Sequence, residues 1–200
     1  KWAVKRKFFM NQALRSSTAL TMPGFVLRPY QHELKDKTLK AWADGYKWVL
    51  LRLDTGGGKS PLIGSIVKDN VGGVAVIAHR DILVIQLSRM LAQYGLRHDV
   101  VCSAKTRRQV IADHMEKFGR SFLDDNSRIK VASVDTLVRK TELAAWASIV
   151  TLCVIDEAHH LVIDNKWHRA TQMFTHPTLR GLGVSATPER ADGKGLGAHA

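Results

Sequence analysis

Two short stretches, far apart in the chain, carry the residue types that phosphate chemistry uses. Asp54-Thr55-Gly56-Gly57-Gly58-Lys59-Ser60 follows an apolar run and opens a helical pattern. Glycines let the backbone fold tightly enough for several N–H groups to converge on phosphate oxygens, and the free amides of the following helix add to them. Lys59 suits the β- and γ-phosphates of a triphosphate, and the Ser60 hydroxyl suits Mg²⁺. The strict form of such a loop has glycine where this chain has Leu53. The second stretch, Val154-Ile155-Asp156-Glu157-Ala158-His159, ends an apolar run in two carboxylates. Asp156 suits the metal, and Glu157 suits the attacking water, which it would orient and deprotonate. Alone, the first stretch also reads as a flexible turn with an incidental lysine, and the second as a solvated turn. Together they divide the labour of phosphoryl transfer: positive charge against the phosphates, and a base in line with the γ-phosphorus.

The elements around them fit an α/β domain with a mostly parallel sheet. Strand patterns fall at Trp48–Leu53, Val74–Ala78, Asp99–Cys102, Ile129–Ala132, Thr151–Ile155 and Leu179–Val184. Several are nearly continuous Val, Ile and Leu, as strands covered on both faces are. Helical patterns fall between them, at 59–69, 81–94, 107–118, 134–145 and 166–173, which implies right-handed crossovers. An earlier helix opens at Arg28-Pro29-Tyr30-Gln31, turns Leu34, Thr38, Leu39 and Trp42 to one side, and stops near Gly45. In such sheets chemistry gathers at the carboxyl ends of the strands, where both stretches lie. If the strands leading into them are neighbours, the two stretches face each other. Residues 1–24 are basic and read as a linker or the end of a preceding domain; residues 25–200 form the α/β domain.

The net charge of +12 favours a polyanionic partner through phosphate neutralisation, although a solvated basic face serves solubility equally well. No apolar run approaches the ~20 residues needed to span a bilayer, and no export signal opens the chain. Cys102 and Cys153, in apolar strand-like segments, read as buried free thiols, which suits a reducing intracellular compartment, cytoplasmic, nucleoid or nuclear. His159 and His160 are not a metal site on adjacency alone.

Read together, these stretches resemble the first RecA-like motor domain of superfamily 2 helicases of the DEAH kind. The resemblance runs over about residues 26–200 and is nearest to the branch of XPB-type repair helicases and type I restriction motors. Leu53–Ser60 resembles motif I, a P-loop, with Ser60 where threonine is usual; Thr55, Gly56, Gly57, Gly58, Lys59 and Ser60 would hold ATP. Asp156-Glu157-Ala158-His159 matches motif II, which adds His159 to the catalytic set and gives Ser60 and Asp156 to Mg²⁺. Arg28-Pro29-Tyr30-Gln31 resembles the segment whose glutamine reads adenine, a role for Gln31 with Arg28 as companion. Ala78-His79-Arg80 is similar to motif Ia, and Val131–Leu137 to the segment around motif Ib, so His79, Arg80 and Thr136 would contact a nucleic-acid backbone. Ser185-Ala186-Thr187-Pro188-Glu189-Arg190 matches motif III, and Asp192-Gly193-Lys194-Gly195 continues the branch pattern. Ser185 and Thr187, at a strand end, can bond towards His159 and couple the two sites, although a Ser/Thr-rich turn can also satisfy its own backbone.

The resemblance implies ATP with Mg²⁺, a nucleic-acid partner (DNA, from the branch), and a second RecA-like domain supplying arginine fingers. No match to that second domain follows residue 190, so the chain by itself is expected to bind nucleotide poorly and hydrolyse it slowly. Three alternatives stay open: a duplex translocase that does not unwind, a binding module with a dead motor fold, and a P-loop kinase or GTPase. Intact Lys59, Ser60, Asp156 and Glu157 argue against the second, and Gln31 with Ser185–Thr187 against the third.

Overall fold

A computed structural model describes residues 26–54, 56–160 and 165–186. The thirteen labelled elements follow the chain: α1 Pro29–Ala43, β1 Trp48–Arg52, α2 Lys59–Asp69, β2 Gly73–Ala78, α3 Asp81–Gln93, β3 Asp99–Val101, α4 Ala104–Phe118, β4 Ile129–Ser133, α5 Val134–Leu137, α6 Ala144–Ala147, β5 Val150–Asp156, α7 Lys166–Gln172 and β6 Arg180–Ser185. The strands form one six-stranded sheet in the order β1-β6-β5-β2-β4-β3, with every pairing parallel. The expected fold class is the observed one. No helix among the described residues is long and apolar enough to cross a membrane.

β2 lies at the centre, and all six of its residues are buried. Its side chains alternate between two cores, as the strand period dictates. Val74, Val76 and Ala78 face Leu62, Ile66, Val84, Leu87 and Leu91 of α2 and α3. Ala75 and Ile77 face Leu137, Trp146, Trp167 and Phe174 on the other side. Burial on both faces explains the near-continuous apolar runs.

The expected helix over 134–145 does not form as one piece. It breaks into α5, a 3₁₀ turn at Thr141–Leu143, and α6. Val134, Thr136 and Val138 are β-branched and favour helix little. Trp146 is also drawn inward: its indole N–H donates to Arg128 O at 3.0 Å, and its ring meets Phe174 edge to face. In α1, Thr38 and Trp42 are buried and Leu34 packs against the core, but Leu39, expected beside them, is exposed. Cys102 lies just past β3, not inside it, and is only partly buried; Cys153 is fully buried, and both are free.

Candidate functional site

The phosphate-type loop leaves the tip of β1, and the acidic turn leaves the tip of β5. The condition under which the sequence would bring the two stretches together, neighbouring strands, is not met: β6 runs between β1 and β5, Arg52 in register with Ser185 and Asp156 with Val184. The two stretches meet nonetheless. Lys59 Nζ lies 3.7 Å from Glu157 Oε1, both side chains mostly shielded from solvent. Glu157 Oε2 lies 3.3 Å from His159 Nδ1, and that nitrogen lies 3.0 Å from Ser185 Oγ. One polar chain thus joins the tips of three strands.

Local backbone explains the meeting. Glu157 has a positive φ of 56°, uncommon for a residue with a side chain, which turns it sharply out of β5. The chain then makes a 3₁₀ turn at Ala158–His160 and packs it on β6. Gly183 permits this: a Cβ there would lie 2.9 Å from the Ala158 Cβ. Its glycine brings the turn close enough for His159 to reach Ser185, two residues further along β6.

Asp156 is half-buried, and its carboxyl is pushed above its usual range, first by burial and then by the neighbouring Glu157 charge; Lys59 opposes the shift. A nearby cation would relieve both causes. Ser60 sits exposed in the first turn of α2, and Gly56, Gly57 and Gly58 form the bend before it. Gly57 N–H closes the bend on Asp54 O at 2.9 Å. Thr55 and Thr187 lie outside the described residues; Ala186 follows β6 and is half-buried.

Gln31 lies at the loop and is held there: it is buried, one Nε2–H donates to Gly58 O at 2.9 Å, and its Oε1 accepts from Arg28 N–H at 2.7 Å. Each end of the amide thus makes one bond to this backbone, which leaves its second N–H and second lone pair for a base. The Arg28 residue beside it is exposed.

The candidate backbone contacts divide. Arg80 is exposed at the start of α3, and Thr136 is half-buried in α5 past the tip of β4. His79 groups with the acidic turn: burial holds its pKa down first, the Arg80 charge adds to this, and Glu157 pulls the other way. A link between these regions that no motif signalled is Lys166 of α7, which donates to Asp135 of α5 at 2.8 Å. Tyr30, quoted in the sequence but given no role, donates its hydroxyl to Gly57 O at 2.9 Å.

Residues 24–190 match the family described as type III restriction enzyme, res subunit. The chain belongs to that family. It is a RecA-like helicase domain of superfamily 2, related to restriction and translocase helicases. It is 30% identical over 189 residues to IRC3 of Saccharomyces cerevisiae, and 29% identical over 190 residues to irc3 of Schizosaccharomyces pombe. These carry the names of an ATP-dependent helicase and a mitochondrial ATP-dependent helicase. The alignments take in 86% and 90% of this chain but only 25% and 29% of those relatives. Among solved structures, the fold is shared with the UvsW helicase from bacteriophage T4 (TM-score 0.57, 14% identity, 80% of this chain and 52% of that one). It is shared too with the Pyrococcus furiosus Hef helicase domain (0.57, 21%, 82% and 33%). A nuclease-deletion mutant of the type ISP restriction-modification enzyme LlaGI, in complex with a DNA substrate mimic, also matches (0.55, 15%, 88% and 19%).

Proposed function

We propose that this chain is the ATP-binding half of a nucleic-acid motor, coupling ATP hydrolysis to movement along DNA, of the branch that includes XPB-type helicases and type I restriction motors. The observation that carries the reading is the convergence of Lys59, Glu157, His159 and Ser185 at the tips of β1, β5 and β6. The residues present fit a magnesium nucleotide. A cation held by Ser60 and Asp156 alone would be short of ligands, and Mg²⁺ commonly completes its shell with substrate phosphates and water. Among the described residues no three histidines, cysteines or carboxylates cluster as a self-sufficient cation site, in keeping with such sharing.

In this mechanism Lys59 stands against the β- and γ-phosphates, and the Gly58, Lys59 and Ser60 amides hold their oxygens. Bound Mg²⁺ would neutralise charge on the phosphates. Glu157, released from Lys59 when phosphate takes that cation, aligns a water and accepts its proton. His159 and Ser185 carry the state of the acidic turn to β6, and through Ala186 and Thr187 to nucleic acid held at Arg80, Thr136 and His79. A second RecA-like domain supplies the arginine fingers, worth ~10³–10⁵-fold in related chemistry, so these residues alone turn over slowly.

The test is ATP hydrolysis by the full-length protein with and without DNA or RNA, beside Lys59→Ala. Stimulation by DNA that Lys59→Ala abolishes is expected; ATP turnover indifferent to nucleic acid and to Lys59 would sink the motor. The restriction-enzyme family supports translocation without unwinding as the second reading, and a triplex-displacement assay run beside strand displacement separates the two.

A further inference from the structure

The first turn of α1 grips the glycine loop by its carbonyl oxygens. Tyr30 O–H donates to Gly57 O, and Gln31 Nε2–H donates to Gly58 O, each at 2.9 Å. Gln31 is fixed at its other end by Arg28 N–H, and Pro29 sets the helix start that presents the neighbouring side chains. Gly58 has a φ of +69°, and a Cβ there would fall 2.2 Å from Gln31 Nε2 and 3.7 Å from the Tyr30 hydroxyl. The bare backbone at position 58 is what lets α1 come so near.

A trans peptide unit is planar, so the C=O of one residue and the N–H of the next point in opposite directions. No peptide among the described residues is cis. Drawing Gly57 O towards α1 therefore turns Gly58 N–H away from it, and drawing Gly58 O does the same to Lys59 N–H. An anion-binding loop depends on having those amides aimed together before the anion arrives, because a loop free to turn its peptides must be ordered at the moment of binding.

We infer that Tyr30 is a positioning residue which, with Gln31, presets the Gly58 and Lys59 amides for phosphate. The inference rests on the nucleotide-binding reading above and goes beyond it, since that reading gives Tyr30 no part and the family resemblance gives Gln31 only to the base. Its consequence is selective. A residue that reads adenine discriminates ATP from GTP, whereas one that aims loop amides serves every nucleotide equally, and inorganic tripolyphosphate as well.

Tyr30→Phe removes one oxygen and keeps the ring. In full-length protein, fluorescent ATP and GTP analogues are titrated with Mg²⁺ and displaced by magnesium tripolyphosphate, and melting temperature is followed in parallel. All three affinities are expected to fall by a common factor of about three to ten, the size of one hydrogen bond, with the ATP-to-GTP ratio and melting temperature unchanged. Unaltered affinities overturn the inference while leaving the nucleotide reading intact. A loss confined to ATP assigns Tyr30 to the base and overturns it too, and a fall in melting temperature that matches the affinity loss makes the bond merely structural. Wild-type protein that binds neither nucleotide would remove the nucleotide reading itself.

Discussion

Among the described residues serine meets histidine at the strand tips and in the far core, and the two meetings differ. At the strand tips Ser185 Oγ meets His159 Nδ1 at 3.0 Å, with Glu157 close to the same nitrogen and Lys59 beyond it. In the far core Ser88 of α3 lies 2.6 Å from His98 Nε2 and 3.2 Å from His114 Nε2, all three buried. There the tautomers are forced. His98 Nδ1–H donates to Leu96 O, so its Nε2 accepts from Ser88; His114 Nδ1 accepts from Phe122 N–H, so its Nε2–H donates to Ser88. Each ring nitrogen has one fixed part, and the knot ties α3 and α4 together. At the tips His159 Nδ1 has a choice between a carboxylate and a hydroxyl. Identical groups make a staple where every partner is fixed and a relay where partners can be exchanged.

The largest effect tests the relay. Glu157→Gln keeps the shape of the turn but cannot take a proton; kcat for ATP should fall by about 10²–10⁴-fold while nucleotide binding persists. Steady-state hydrolysis beside equilibrium binding checks this, and unchanged kcat would strip Glu157 of its part.

Acid tests the staple. Burial lowers the His98 pKa to about 4, and it lowers that of His114 as well. The unfolded chain, titrating near 6.5, binds protons that the folded chain refuses, so stability is full above that value and is lost as pH falls through the window down to about 4. For His98 the loss is on the order of 3 kcal/mol. Denaturant melts at stepped pH should show it, and Ser88→Ala should keep the pH dependence, because burial and not the serine hydroxyl holds both histidines down; a flat profile in wild type would mean that the knot is not so buried in solution.

Smaller still is the contrast between the two serines. Ser88→Ala leaves histidine nitrogens unsatisfied in the core and should cost about 1–3 kcal/mol in stability, with turnover per folded molecule preserved. Ser185→Ala should leave melting nearly unchanged and reduce the stimulation of hydrolysis by nucleic acid severalfold. Equal losses of stability in both variants would erase the distinction between staple and relay.

Much of this arrangement is legible in the sequence. Gly56–Ser60 and Asp156–Glu157 stand out because glycine runs and paired carboxylates interrupt apolar strands. The parallel sheet is legible because Val74–Ala78 and Val154–Ile155 are apolar on both faces. What escaped the sequence was lateral. A two-residue period says which face a side chain takes, not which strand lies alongside, so nothing in Arg180–Ser185 announced that it would part β1 from β5. The histidine knot was invisible for a similar reason: Ser88, His98 and His114 share no period and meet only after α3, β3 and α4 have packed. Gln31 was legible as important, but its commitment to Gly58 O depends on how near α1 comes to the loop.

The position of β6 has a consequence for how the molecule comes into being. Leu53, at the early end of the sheet, gives its N–H to Ser185 O, at the late end. Until Arg180–Ser185 inserts, β1 and β5 have an empty lane between them, and neither the glycine loop nor the acidic turn has its counterpart within reach. Such a pairing is non-local and slow to find. A nascent or partly unfolded chain would therefore be idle by construction, because closing the sheet and arming the site are a single event.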